Sequence, residues 1–477
     1  MLFNSIHFIF FFPIVIIIYF LIPHRYRWIF LLSASYYFYL CFKLEYGFLI
    51  AGSTLSSYTT AILISNSKNE IRRKAYLFGN LILNLGILFF FKYFNFTISS
   101  ASLILDNFNI AHQFPTLKWI LPIGISFYTF QVVSYTVDVY WETLKPEKHL
   151  GIFALYVSFF PQLVAGPIER ASRLIPQFRI AQKYDYNRLK SGLLLMLWGF
   201  FQKLVIADRL GIMVDEVFNN VEKYEGLPLI LASFGFGFQM YCDFAGYTDI
   251  AIGAALVMGF KLMKNFDRPF SAKNISEFWR RWHISLSSWA NDYIYRPIAI
   301  NRRSWGHWGV VYSISATFLF LGIWHGAKMA FILFGAFMGL AFYFEILTKN
   351  IRKKLSKKIP DVIYNNLSVV LTFCFFIFTS IFFRGNTTLD VFRIIGKMFT
   401  NIELKWYELG VSKFELFSVF IFIIVLEGVH YFQRKHKLRE WLASKPFFIR
   451  WSVYIVLVFI ILNFGEFGEK QFIYFDF

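Results

Sequence analysis

The sequence predicts an all-α protein that crosses a membrane many times, and three observations predict it. Of 477 residues, 57% are hydrophobic and 16% charged, with a mean hydropathy of +0.51. Soluble chains average about 45–50% apolar and about 25% charged. A series of apolar runs reaches the roughly 20 residues that a bilayer span needs. The loops between them alternate between basic and non-basic, the pattern left by retention of Lys and Arg on the cytoplasmic side. Disordered chains and ordinary soluble domains are excluded. The net charge of +19 would suggest nucleic acid on a soluble chain. Here cytoplasmic loops account for it, and no nucleic-acid partner is expected.

Taken in order, the candidate spans are 2–22, 28–45, 47–65, 76–94, 119–140, 191–210, 229–258, 308–326, 329–347, 366–384, 413–432 and 451–464. About 11–12 of them are expected to be transmembrane helices. The first run lacks a basic leader and a small-residue cleavage site, so it reads as a retained span and not a signal peptide. Basic loops hold Arg25 and Arg27; Lys68, Arg72, Arg73 and Lys74; Lys349 to Lys358; and Arg434, Lys435, Lys437 and Arg439. Loop 95–117 is nearly uncharged, and 211–228 carries Asp215, Glu216, Glu222 and Glu225 against Lys223. Their alternation puts both termini outside. Segment 150–165 is short for a span and reads as re-entrant or interfacial. With no repeat or linker, residues 1–477 form a single membrane domain. Cys41, Cys242 and Cys374 lie in apolar stretches without metal or disulfide spacing, so no metal is expected.

Stretch 261–307 mixes cations with aromatics. Trp279, Trp282, His283, Leu286 and Trp289 recur at helical spacing, with Arg280 and Arg281 elsewhere, as in an amphipathic helix at the cytoplasmic interface. Two readings stand: an anchor in lipid, or a mouth that admits an anionic substrate. Ionisable groups inside spans mark function by default. His325, within FLFLGIWHGAKM, suits a general base; the alternative is a histidine bonded to a backbone carbonyl at a tight turn. Asp243 and Asp249, six residues apart, do not share a helical face. They read as groups satisfying basic partners or a backbone break at Gly246, with a cation pathway as the alternative. Tyr474 lies among aromatics just beyond the last span, where an interfacial belt is the ordinary account.

LVAGPIER, YCDFAGYTDIAIG, FWRRWHISLSSW with NDYIYRPI, LGIWHGA and the final FIYFDF together resemble the membrane-bound O-acyltransferase (MBOAT) superfamily. Within it they resemble the membrane subunits of bacterial alginate and peptidoglycan O-acetyltransferases. The resemblance implies an MBOAT-like fold with re-entrant and amphipathic helices, placed in the bacterial inner membrane. It implies that His325 is the catalytic histidine, that His283 is the second polar position, and that Tyr474 carries the acetyl group outward. Acetyl-CoA would be the donor, its phosphates meeting Arg280 and Arg281 beside Trp279 and Trp282. An extracytoplasmic SGNH-type esterase-like partner would place the acetyl group on a glycan hydroxyl, with membrane lipids around the chain. Asp476 departs from the Gln usual at its position in this branch. The AT-rich coding suggested by 63 Phe leans the acceptor towards peptidoglycan over alginate. The alternatives are a polysaccharide or lipid transporter, for which matched broken helices are absent, and D-alanyl transfer to teichoic acid.

Overall fold

A computed structural model describes all residues except 111–112, 116–120, 386, 403–408, 469 and 476–477, and of Tyr474 the backbone alone. The described secondary structure is helical, and nine helices among the described residues are long and apolar enough to cross a membrane. The predicted spans 2–22 and 28–45 fold as shorter helices of 16 and 17 residues, and the described part of 119–140 holds a helix of 16, residues 119–120 lying outside the described ones. The chain divides into two compact units, Met1–Leu193 with Ala251–Met263, and Leu194–Ile250 with Lys264–Phe477.

The first unit contains α1 (Ile6–Leu21), α2 (His24–Leu40), α3 (Tyr46–Asn66), α4 (Glu70–Lys92), α5 (Phe94–Asn107), α6 (Ile125–Tyr140), α7 (Leu150–Ser158), α8 (Phe160–Leu163), α9 (Ala171–Phe178) and the start of α10 (Tyr186–Phe200). Asn80 of α4 ties three helices together inside the apolar layer. Its amide donates to Ser57 Oγ of α3 (3.2 Å), and its Oδ1 accepts from Thr136 Oγ1 of α6 (3.2 Å). Such bonds hold helices where lipid offers no hydrophobic drive between them. Segment 150–165 folds as the short helices α7 and α8, almost wholly buried. The acid of LVAGPIER is a core residue. Glu169 is fully buried, its Oε1 accepts the Met263 amide, and its carbonyl accepts Tyr156 Oη at 2.9 Å. Burial raises its carboxyl above the usual range.

The second unit holds the rest of α10, a π-helical turn (Phe201–Ala207), α11 (Asp208–Asn219) and α12 (Leu227–Met258) up to Ile250. There follow α13 (Ile275–Arg281), α14 (Ile284–Ala290), α15 (Arg296–Asn301), α16 (His307–His325), α17 (Met329–Leu347), α18 (Lys349–Ser356), α19 (Asp361–Arg384), α20 (Thr388–Lys397), α21 (Lys413–Phe432), α22 (Leu438–Ala443) and α23 (Phe447–Phe464). Two glycine pairs set its helix crossings. A Cβ on Gly199 would meet Gly246 O at 2.5 Å, so α10 and α12 cross at backbone contact. Gly246 is therefore a crossing point in an unbroken helix, not the break its sequence suggested. A Cβ on Gly322 would meet Phe331 O at 2.3 Å, and one on Gly335 would meet Phe318 O at 2.4 Å. These contacts close α16 and α17 into a hairpin with His325 at its turn.

Candidate active site

The two histidines singled out in the sequence come from different kinds of backbone. His325 is the last residue of α16 and is 4% exposed. Its ring meets Phe383 and Phe334 edge to face, with centroids 5.0 and 6.1 Å away, and Trp324 at 4.9 Å. An imidazole so enclosed works in a low dielectric, where its charge interactions are strong.

His283 sits where the expected aromatic helix is broken. That stretch is two short helices, α13 and α14, and His283 between them is left-handed (φ 43°, ψ 54°). The left-handed region is unusual for a side chain of this size and marks a position fixed by its surroundings. Asn265 does the fixing. Its Oδ1 lies 3.1 Å from His283 Nδ1 and accepts from the Ser285 amide (3.2 Å) and Ser285 Oγ (2.9 Å). The Ser285 amide can only donate, which identifies the Asn265 atom as oxygen. His283 must then carry its proton on Nδ1, leaving Nε2 with a lone pair. The Asn265 backbone also accepts the Ile284 amide at 2.8 Å. Burial pushes His283 down to about 3, so the ring is neutral at physiological pH.

That depression has a measurable consequence. The unfolded histidine binds its proton near pH 6.5 and the folded one only near pH 3. Between those values the unfolded state holds more protons, so stability is complete above about pH 6.5 and is lost as pH falls towards 3. Going from pH 7 to 5 should cost about 2 kcal/mol through this residue. His283→Asn, which tolerates the left-handed backbone, should lack that increment when acid sensitivity is compared with wild type by unfolding in detergent.

Trp324 links the two histidines, its ring centroid 6.3 Å from His283 and 4.9 Å from His325. Trp279 and Trp282 are buried packing residues. Trp279 meets Phe318 of α16 at 5.1 Å, and Trp282 meets Phe376 of α19 at 4.9 Å. Arg280 is exposed, whereas Arg281 is half-buried and paired with Glu277 at 2.6 Å. The Tyr474 side chain and Asp476 lie outside the described residues, but the chain leading to them is defined. Phe472 is fully buried, 5.2 Å from Phe244 and stacked on Tyr247 at 5.1 Å. Phe244 in turn meets His283 edge to face at 4.6 Å. The residue before Tyr474, Ile473, donates its amide to Asp243 Oδ2 at 2.7 Å.

Asp243 belongs to a buried ion cluster. Lys203, 1% exposed, lies 2.5 Å from Asp243 and 2.8 Å from Asp208. Asp249 accepts from Gln202 at 2.9 Å. The π-helical turn presents Gln202 and Lys203, adjacent in sequence, to carboxylates six residues apart on α12. Basic and polar partners therefore satisfy both aspartates. The rule that singles out Asp243, an ionisable group in an apolar span, also picks Lys203 and Asp208 in FFQKLVIADRL. Asn265 carries no comparable sequence signal.

Residues 149–385 match the profile of MBOAT, the membrane-bound O-acyltransferase family. A probable alginate O-acetylase, AlgI, of Pseudomonas aeruginosa is 35% identical over 402 residues, covering 84% of this chain and 75% of that protein. The chain belongs to the membrane-bound O-acyltransferase family. Within that family it is also 32% identical over 394 residues to a peptidoglycan O-acetyltransferase of Helicobacter pylori (77% of this chain, 73% of the relative). A teichoic acid D-alanyltransferase of Bacillus subtilis is 29% identical over 274 residues, 55% of this chain and 68% of the relative. The chain is thus a multi-pass, membrane-bound O-acyltransferase. The MBOAT match takes in both histidines, Asn265 and the ion cluster; the tail that carries Tyr474 lies beyond it.

Proposed function

We propose that this MBOAT enzyme passes an acetyl group from cytosolic acetyl-CoA through Tyr474 to an extracytoplasmic SGNH-type partner, which O-acetylates a cell-envelope glycan. The observation that carries the reading is the docking of Phe472 and Ile473 on α12, where Phe244 also touches His283. A phenol with an ordinary pKa near 10 needs a base to act as nucleophile. His325 takes the Tyr474 proton as the phenolic oxygen attacks the thioester carbonyl. The carbon–sulfur bond breaks, coenzyme A leaves as the thiol with that proton, and Tyr474 holds an acetyl ester. A serine hydroxyl of the partner then attacks the ester, and the phenol regains a proton as it leaves. His283, neutral with Nε2 as acceptor, positions the reacting groups, and Arg280 and Arg281 meet the donor phosphates. In this reading the enzyme sits in the bacterial inner membrane with both termini outside.

Relatives named for alginate and for peptidoglycan, at 35% and 32% identity, are too alike in similarity to choose the acceptor. The Phe-rich composition, which suggests AT-rich coding, leans the proposal towards peptidoglycan. Membranes given acetyl-CoA labelled in its acetyl group should yield labelled protein, and Tyr474→Phe should yield none. Label that persists in Tyr474→Phe overturns the relay. Loss of O-acetyl groups from one envelope glycan after gene deletion identifies the acceptor.

A further inference from the structure

We infer that Lys203 and Asp243 form a main-chain clamp that holds residues 471–473 and thereby positions Tyr474, an inference that rests on the acetyl relay for its purpose. The contacts are to backbone atoms on alternate residues. Asp243 Oδ2 accepts the Ile473 amide at 2.7 Å, and Lys203 Nζ donates to the Gln471 carbonyl at 3.4 Å. Between them Phe472 is buried against Phe244 and Tyr247. Two more bonds bring the chain in: Glu466 N donates to Leu204 O at 3.1 Å, and Lys470 Nζ to Asp208 O at 3.1 Å.

The partners cluster at one feature. Leu204 and Lys203 lie in the π-helical turn Phe201–Ala207, and Asp208 follows it directly. A π-helical turn displaces the carbonyls and side chains of a helix from regular bonding, and such turns recur at functional sites. Here that displaced surface, with Asp243 opposite, is occupied by the tail. The buried ion cluster holds the peptide groups of the segment, while one aromatic pocket, filled by Phe472, sets its register along the groove. Tyr474 is the next residue after the clamped amide, so a slip of one residue removes it from its place. Lys203 and Asp243 are therefore positioning residues.

The test is hydrogen–deuterium exchange of the Ile473 amide in the full-length protein in lipid nanodiscs, read by fragment mass spectrometry. Wild type should exchange at least tenfold more slowly than a free peptide spanning 466–475. Asp243→Leu, which removes the carboxylate that accepts the Ile473 amide, and the double variant Lys203→Met/Asp243→Leu, which removes it without leaving a buried ammonium behind, should each restore at least tenfold faster exchange. Should Asp243→Leu fail to fold, the double variant decides. A wild-type amide as fast as the free peptide, or folded variants as slow as wild type, overturns the clamp. Acetyl labelling of the same samples separates the two ideas. Slow exchange lost in the variants, with label unaffected by Tyr474→Phe, supports the clamp and overturns the relay.

Discussion

Replacing His325 by alanine is expected to lower acetyl labelling of the chain, and O-acetylation of its acceptor, by about 10²–10⁴-fold, the range for removal of a general base. The expectation rests on where the ring sits. It closes α16 between the edges of Phe334 and Phe383 and beside Trp324. A positive charge developing on the ring as it takes a proton meets the negative end of the α16 dipole. Alanine also leaves a void among these aromatic rings, and that cost must be separated from catalysis. His325→Gln keeps most of the volume and no basic nitrogen. It should fold as wild type by thermal unfolding and be as inactive as His325→Ala. Activity retained in His325→Gln would show that the ring serves packing and would move the base elsewhere.

The parts of this site that were legible in the sequence are those with local signatures. A histidine or aspartate inside an apolar run stands out because burying it is costly, and His325, Asp243 and Asp249 were visible on that ground. Their partners depend on contacts between distant segments. The Lys203–Asp243 pair requires α10 and α12 to meet at Gly199 and Gly246 and a π-helical turn to re-aim the side chain, and neither follows from periodicity. The break at His283 was hidden for a related reason. Trp279, Trp282, Leu286 and Trp289 are all buried, so the hydrophobic pattern runs across two helices as it would along one. What ends α13 is the pull of Asn265 on His283 and Ser285 from 18 and 20 residues away. Likewise Phe472 looked like one more aromatic near the interface, and only its contacts with Phe244 and Tyr247 distinguish it from a lipid-facing ring. Nine helices among the described residues have the length and hydropathy of a span, fewer than the apolar runs, because α1, α2 and α6 are only 16 or 17 residues long.

The largest effect on stability is expected at Lys203. The ammonium lies between Asp208 and Asp243, all three groups 4% exposed or less. Lys203→Met removes the cation that both carboxylates share and leaves two like charges buried together. Breaking a buried ion pair from one side costs about 3–5 kcal/mol, and protonating a carboxylate recovers part of it. The variant should therefore inactivate faster on heating in detergent. Its deficit should shrink as pH is lowered, because protonation then costs less. The double variant Lys203→Met/Asp243→Leu should recover much of the loss, since apolar groups of similar volume can replace a buried pair at little or no cost. Recovery of stability would not bring recovery of the tail. With no carboxylate to accept the Ile473 amide, the double variant should stay folded while that amide exchanges freely. If instead the double variant keeps slow exchange at Ile473, the ion cluster does not hold the tail, and packing of Phe472 alone holds the segment.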